Sequence, residues 1–558
     1  MKLKGCRASF LIPSEKPFGL SPREAYNYLH KGDKMANLFG AIDVGSHEME
    51  LKIFELSKKN GIRQIDDVIH LIDLGSDTYN DGKISVVHVA EIKRILLDFK
   101  RIMDSYGVTS CQAYATSAFR DMENATVVLR QIEQETDIHV EILANSEQRF
   151  LDYKSIASKG EEFNRVIQKG TMIVDVGGGS IQISLFAKDR LVLTQNMLLG
   201  ILRLNELLGR IGAGSHKTRE LVEEMVNSQL HVFERLYLQN MKIKNVIVVD
   251  DYISEVVRKN KVSFQTQMTD TLEKTKQNGE FISVRDFRQF MADLERYNRT
   301  ELAQRLGIED DNVPLLRISA IMLRCIADRV NAELLWFPCV TLCDGIVYEF
   351  AEKRRYLKAP HDFEQDILAC AQQIGRRYRS STERASTIGR IASKIFDSTK
   401  KLHGMGAREK LLLEIASTLY DCGKYISMTN FSECSYNIIK STEIIGISKI
   451  EQEIVACVVR FNHERYSYQK LIAEQSPLGE EQCMTIARLT AILRVANALD
   501  RSHRQKFDDL QIRIQDRKMF ILVETGEDIS LEKGLFSQRA DFFEEVFGIR
   551  PVIKQKKR

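Results

Sequence analysis

The stretch Ile173-Val-Asp-Val-Gly-Gly-Gly-Ser180, continued by Ile181-Gln-Ile-Ser-Leu-Phe186, decides how this chain folds. Thr171 to Val176 is β-branched and apolar except for Asp175, the pattern of a buried strand. Gly177, Gly178 and Gly179 then strip the turn of side chains, so backbone N–H groups can approach an anion closely. Ile181, Ile183 and Leu185 alternate, which predicts the return strand of a hairpin. An acid at the end of the first strand, beside a glycine turn and Ser180, can hold a hydrated Mg²⁺ against phosphate.

An earlier copy strengthens the reading. Leu38-Phe-Gly-Ala-Ile-Asp-Val-Gly-Ser46 also runs strand, Asp, Gly, Ser, and continues as the alternating strand Met49 to Phe54. Asp43 and Asp175 are therefore the candidate metal ligands. Gly45, Ser46, Gly177, Gly178, Gly179 and Ser180 are the candidate phosphate donors. Two such hairpins, one per lobe, resemble those with which actin-like, Hsp70-like and sugar-kinase ATPases grip a phosphate chain. The fold this implies is α/β, with two actin-like (ribonuclease H-like) lobes. Between the hairpins, Ala115-Thr-Ser-Ala-Phe-Arg-Asp-Met-Glu-Asn124 resembles the ATSA-x-R-x-A-x-N segment of the exopolyphosphatase/guanosine pentaphosphate phosphohydrolase family, with Met122 for its second Ala. Leu143-Ala-Asn-Ser-Glu-Gln-Arg-Phe-Leu151 stands where that family has SGxEEARL. The similarity runs from about Asn37 to the C-terminus.

The resemblance implies Mg²⁺-dependent release of terminal phosphate from inorganic polyphosphate or guanosine pentaphosphate, by a homodimer. Arg120, flanked by Thr116 and Ser117, is the expected guanidinium partner of phosphate, because its planar fork suits bidentate oxyanion contacts. Glu147 is the expected base; Gln148 aligns with the second Glu of the motif. Gln182 replaces a further family carboxylate, Asp250 and Asp251 replace a Gly-Gly-Thr-like turn, and Asp344-Gly345 replaces an Arg/Glu-Gly pair. A Gln can orient water but cannot take a proton. The rival expectation is therefore a catalytically weakened sensor that binds polyphosphate or a guanosine alarmone and signals by lobe closure. A sugar-kinase-like phosphotransferase fits less well, since Thr116 to Asn124 resembles the phosphatase branch.

At 558 residues the chain has room for several domains of about 150 residues each. A net charge of +3 gives no global field for nucleic acid or membrane. No run of 18 apolar residues spans a bilayer. Residues 1–36, read as an N-terminal extension, hold only the short apolar patch Ala8 to Ile12 before Pro13, too short for a secretory signal. Ten cysteines without paired spacing read as reduced packing thiols of a cytoplasmic protein.

Lobe one is expected over 37–168 and lobe two over 169–355, the latter closed by a helix through Ile346 to Ala351. Residues 362–503 read as helical, with a turn at His403 to Gly406. Residues 504–558 read as a small α/β unit: a hairpin turning at Gln515 to Lys518, a helix over Ser530 to Val546, and a solvated basic tail, Lys554 to Arg558. The helical block resembles the HD-type domain of longer family members, whose metal needs His…His-Asp…Asp. Here Tyr420 stands where the motif His belongs, and Glu383 and Arg384 lie near the first His position. Asp421 and Asp500 remain. Tyr and Arg cannot replace imidazole at a metal, so no metal is expected, and His463 and His503 read as ordinary histidines.

Overall fold

The computed structural model describes residues 37–212, 215–238, 241–259, 280–359, 361–469, 478–507 and 510–556. The expectation for residues 1–36 lies outside them. The chain divides into two units, Met1–His361 and Asp362–Arg558.

The first unit holds two sheets. One contains β1 (Asn37–Val44), β2 (Glu48–Ser57), β3 (Gly61–Leu71), β4 (Ser110–Ala115) and β5 (Val140–Ile142), in the order β3-β2-β1-β4-β5. The other contains β6 (Thr171–Val176), β7 (Ile181–Ala187), β8 (Arg190–Met197), β9 (Asn245–Asp250), β10 (Phe281–Ser283) and β11 (Leu334–Trp336), in the order β10-β11-β9-β6-β7-β8. In each, the first strand opens an antiparallel meander on one side and pairs in parallel with a later strand on the other. The order β8-β7-β6-β9-β11 thus repeats β3-β2-β1-β4-β5, with β10 added at one edge. This is the duplicated actin-like architecture.

Helices cover both sheets because the central strands are apolar on both faces. The helix Val86–Tyr106 starts at the Ser85 cap and stops at Gly107 in the left-handed conformation. It buries Val89, Ile92, Ile95, Leu96, Phe99 and Met103 at helical spacing, in one core with Ile42, Leu51 and Ile53.

One helix does not go where the sequence reading placed it. Leu342–Lys353, expected to close the second lobe, packs on the first sheet instead. Its Cys343, Ile346, Val347 and Ala351 join Phe39, Ala41, Phe54, Leu56 and Leu151 in one cluster. The alternating apolar residues of β1 and β2 supply the cover that this amphipathic face needs. At its first turn, Lys52 of β2 donates to Thr341 Oγ1 at 2.8 Å and Asp344 Oδ2 at 2.9 Å, and lies 3.5 Å from Glu50 Oε1. Burial alone would lower the Lys52 ammonium, but Glu50 and Asp344 reverse this and hold it above the ordinary lysine value. Gly345 permits close approach to the helix Asn145–Ala157, since a Cβ there would lie 2.1 Å from Leu151 O.

Among the described residues, the second unit holds the helices Phe363–Arg377, Thr382–His403, Ala407–Leu419, Phe431–Ser441, Lys449–His463 and Glu480–Leu499, followed by a three-stranded sheet. In the sheet, β12 (Leu510–Gln515) and β13 (Lys518–Glu524) form the predicted hairpin, whose turn residues Asp516 and Arg517 both have positive φ, at 52° and 55°. The helix Ser530–Phe547 follows. The basic tail is not a solvated end through Lys556: Arg550–Lys556 forms β14, parallel to β13, and Lys554 Nζ sits 3.9 Å from the Phe520 ring centre. No helix among the described residues is long and apolar enough to cross a membrane, and the described cysteines are free.

The close contact at Gly345 has a measurable consequence. Gly345→Ala must push apart two helices that meet at backbone distance, and overpacking of this kind costs about 1–3 kcal/mol. A lowered thermal midpoint is expected, read by calorimetry; an unchanged midpoint would show that the helix pair yields freely.

Candidate active site

The two hairpins are the same object. Gly45 N–H donates to Glu48 O at 2.9 Å, and Gly177 N–H donates to Ser180 O at 3.0 Å. Asp43 pairs with Glu50 across the first hairpin, and Asp175 with Gln182 across the second. Ser46 is therefore equivalent to Gly178, and Ser180 to Glu48. The two motif serines, read from sequence as counterparts, are not: both turns hold four residues, and the longer glycine run moves the second serine to the far end. The carbonyls at the equivalent position are held alike. Ser46 O accepts from Leu74 and Gly75 N–H at 3.0 Å each, and Gly178 O accepts from Leu202 and Arg203 N–H at 3.0 and 3.2 Å. Each acceptor meets the N-terminus of the helix that follows, Leu74–Asp81 or Ile201–Ile211.

The turns face each other. A Cβ on Gly178 would stand 3.5 Å from Ser46 Cβ, in van der Waals contact across the cleft, and 2.8 Å from Leu202 Cδ1. Ser46 Oγ lies 2.9 Å from Ser117 Oγ, and Thr116 N–H donates to Val44 O at 3.3 Å, which ties the end of β4 to the first turn. The resulting cavity, of about 90 Å³, is lined by Asp43, Gly45, Ser46, Thr116, Ser117, Asp175, Gly177 and Gly178, all singled out from the sequence. It is also lined by His47, Glu48, Glu50, Gln148, Asp152, Asp250, Tyr252 and Thr341. Among the described residues, no lysine or arginine lines it.

Other predicted residues are placed elsewhere. Arg120 is not among the lining residues. Its guanidinium donates to Leu143 O and Gln148 Oε1, both at 2.9 Å. It thereby holds Gln148, which lines the cavity. The neighbouring acids serve other cations: Asp121 pairs with Arg203 at 3.0 Å and Glu123 with Lys83 at 3.3 Å. Glu147 also does not line the cavity. It occupies the first turn of the helix Asn145–Ala157, where its carboxylate accepts the Ala144 N–H at 3.0 Å. Its charge falls on Tyr114, whose phenol is raised by burial and by Glu141, Glu349 and Glu147. Gly179 and Ser180 lie in the second turn but outside the lining; Gly179 O accepts from Arg203 Nε at 3.1 Å. Asn124 is structural, holding both backbone groups of Ile84 at 2.9 and 3.0 Å.

The neutral substitutions are built in. Gln182 Oε1 accepts from Arg149 Nε at 3.0 Å, both residues being buried. Asp250 engages both oxygens, with Ile253 N–H and Ser319 Oγ each at 2.6 Å. The Asp251 side chain lies outside the described residues. Glu48 and Asp152 line the cavity although sequence reasoning passed over them. Asp152 had one available signal: it lies one helical turn beyond Gln148, on the same face.

Residues 57–354, more than half of the chain, match the model of the Ppx/GppA phosphatase family, and residues 368–537 match Ppx/GppA phosphatase, domain III. The chain belongs to the Ppx/GppA phosphatase family. It is 25% identical over 166 residues to Exopolyphosphatase 1 of Mycobacterium tuberculosis, covering 30% of this chain and 47% of that one. It is 23% identical over 225 residues to the bifunctional 3-dehydroquinate synthase/phosphatase of Fusobacterium nucleatum, covering 38% of this chain and 33% of that one. It thus matches between a third and a half of the length of these curated relatives. Among solved structures, it is similar to an exopolyphosphatase from Cytophaga hutchinsonii (18% identity, TM-score 0.49, 57% of this chain and 98% of that one) and to the Ppx/GppA family member of Aquifex aeolicus (16%, 0.46, 57% and 99%).

Within the domain III match, Arg384, Tyr420 and Asp500, three of the positions weighed for a metal, are buried together, whereas Glu383 is exposed. Arg384 Nε lies 3.3 Å from Asp500 Oδ2, its Nη2 donates to Asn497 Oδ1 at 2.9 Å, and its guanidinium lies 5.1 Å from the Tyr420 ring centre. A fixed guanidinium thus neutralises Asp500. His463 packs edge-on against Phe431 at 4.6 Å, and Asn462 Nδ2 lies 3.1 Å from its Nε2. Burial, then the cations Arg539, Lys424 and Arg384, lower its imidazole to about 3.

This yields a pH prediction. Above pH 6.5 the ring is neutral folded and unfolded alike. Below that, the unfolded chain binds a proton that the folded chain refuses until about pH 3. His463 should therefore remove stability as pH falls from 6.5, with a slope approaching about 1.4 kcal/mol per pH unit. Denaturant titrations of wild type and His463→Gln at pH 7.0 and 5.0 check it: the variant should lose less stability on acidification, and equal losses would contradict the assignment.

Proposed function

We propose that this chain is a Mg²⁺-dependent phosphohydrolase that removes the terminal phosphate from inorganic polyphosphate or guanosine pentaphosphate. The observation that carries this reading is the composition of the cleft. Hydroxyls and backbone donors suited to phosphate stand among several carboxylates, and no described lysine or arginine lines the cavity. A phosphate terminus brought there needs a cation to offset its charge. Asp43 and Asp175, at equivalent strand ends, are the residues to hold it. Among the described residues no three His, Cys, Asp or Glu side chains converge as an all-protein cage. Mg²⁺ keeps several waters and takes one or two carboxylates plus phosphate oxygens, so two carboxylates are enough to hold it. When bound, the ion supplies charge neutralisation at the phosphoryl group.

The chain's own part is positioning, which dominates phosphoryl transfer. Ser46, Thr116 and Ser117 offer hydroxyl donors to the terminal phosphate, and the anchored turns hold their backbone in place. An adjoining cavity of about 240 Å³ shares His47 and Tyr252 with the cleft and adds Ile69, Leu71 and Asn312. Glu48, Glu50, Asp250, Glu255 and Glu309 also line it, so it continues the acidic character of the cleft.

A second reading is favoured by Gln148 and Gln182, both held by arginines at positions where the family resemblance led us to expect acids. In it, the cleft binds polyphosphate or a guanosine alarmone without turnover. Phosphate release from long-chain polyphosphate and from guanosine pentaphosphate, each with Mg²⁺ and with EDTA, separates the two. The hydrolase predicts metal-dependent release, with the relative rates identifying the substrate. Saturable binding of either compound without release of phosphate would establish the sensor instead.

A further inference from the structure

Among the described residues, every acidic or basic side chain that lines the cleft is a carboxylate except that of His47. Carboxylates repel phosphate oxygens unless a cation stands between them. An imidazole can donate a hydrogen bond to an anion directly. The terminal phosphate already has the hydroxyls of Ser46, Thr116 and Ser117 assigned to it. The rest of a phosphate chain also carries charge and needs a donor of its own.

His47 is placed to supply it. In the four-residue turns its counterpart is Gly179, so the second lobe has no side chain at this position. His47 O accepts from Ile72 N–H at 2.9 Å, which pins the backbone from which the ring projects. The ring reaches the second lobe: Nε2 lies 3.2 Å from Asn312 Oδ1, and the ring centre lies 5.8 Å from that of Tyr252. Among the described lining residues, His47 alone borders the cleft and both adjoining cavities, the one that holds Tyr252 and Asn312 and a second of about 250 Å³ that holds Gly75, Asn205 and Arg299. Ser46, Thr116 and Ser117 border the cleft and neither adjoining cavity. A chain whose end lies among those hydroxyls therefore passes His47 on its way to either one.

We propose that His47 binds the phosphate chain beyond its terminal group, donating its ring N–H to the second phosphate in place of Asn312. This rests on the reading that the cleft receives a phosphate terminus, and it holds whether or not that terminus is hydrolysed. The exchange is favourable because the present bond, 3.2 Å long, goes to a neutral amide, whereas a phosphate oxygen makes a charge-assisted bond about twice as strong. Asn312 lines the adjoining cavity, so its amide oxygen finds water once the ring turns away. The side chain at His47, absent at Gly179, makes the first turn the one that follows the chain.

Calorimetric titrations with Mg²⁺ test this with two probes, imidotriphosphate, which has groups beyond its terminal phosphate, and inorganic phosphate, which has none. His47 is partly exposed, so His47→Ala is expected to fold, and its thermal midpoint checks that. Loss of a hydrogen bond to a charged group should weaken imidotriphosphate about tenfold or more in His47→Ala. Inorganic phosphate should change by less than about twofold, since the terminal site is untouched. Imidotriphosphate binding that His47→Ala leaves unchanged overturns the assignment and leaves the cleft reading intact. Equal weakening of both probes also overturns it, because His47 then acts only through the shape of the turn. A wild type that binds neither probe overturns the assignment and the cleft reading together. Where inorganic phosphate gives no measurable heat, His47→Gln serves as the control: it returns a donor and should recover at least about threefold of the lost affinity, and no recovery overturns the assignment.

Discussion

Each lobe pins one peptide carbonyl to the N-terminus of a helix, and the geometry of the cleft depends on that anchorage. Ser46 O and Gly178 O occupy equivalent places in four-residue turns, and each accepts two N–H groups of the helix that follows. These N–H groups are ones that a helix start leaves without internal partners, so the bonds meet a need on both sides. With the carbonyls directed into the helices, the turns are fixed and Asp43 and Asp175 take matching positions at the ends of β1 and β6. Gly178 and Ser46 then stand in the same cavity, a Cβ on Gly178 lying 3.5 Å from Ser46 Cβ.

The electrostatic consequence is a cleft of unusual sign for a phosphate site. Glu50 sits directly across from Asp43, and like charges opposed in a sheet destabilise it. Lys52, two residues along β2, offsets this by pairing with Glu50 and Asp344. The returning helix Leu342–Lys353 thus does more than cover the first sheet. Its N-terminal Thr341 and Asp344 complete the charge balance beneath the cleft, while Cys343, raised by burial and then by Glu50 and Asp43, remains an inert packing thiol. The acidic and basic side chains among the described lining residues are carboxylates and His47, and a divalent cation with phosphate matches such a lining.

Much of this was legible in the sequence, for definite physical reasons. Alternation in Met49 to Phe54 and Ile181 to Phe186, set against glycine turns after an acid, fixed both hairpins and hence the duplicated fold. That Ser46 and Ser180 are not equivalent is hidden in the sequence because register is decided by turn closure, which a glycine run does not reveal. The destination of Leu342–Lys353 was hidden because an amphipathic helix declares that it needs a partner, not which sheet supplies it. The partners of Arg120 are not legible in sequence, since a guanidinium suits an amide and a carbonyl as well as a phosphate. The tail Lys554 to Arg558 reads as a solvated end from its charge, which does not reveal that Lys554 to Lys556 pair with β13 while Lys554 stays exposed and lies over Phe520. Asp152 was passed over because the motif comparison ended at Leu151, while helical periodicity carries the face one turn further.

The central claim is that Asp43 and Asp175 act together to bring a cation and a phosphate terminus into one cleft. Calorimetric binding of a non-hydrolysable imidotriphosphate, with Mg²⁺ and with EDTA, tests it most directly in wild type, Asp43→Asn and Asp175→Asn. Binding that requires Mg²⁺ and weakens at least about tenfold in each single variant is the predicted result. Equal binding in EDTA, or binding that either variant leaves unchanged, would contradict it.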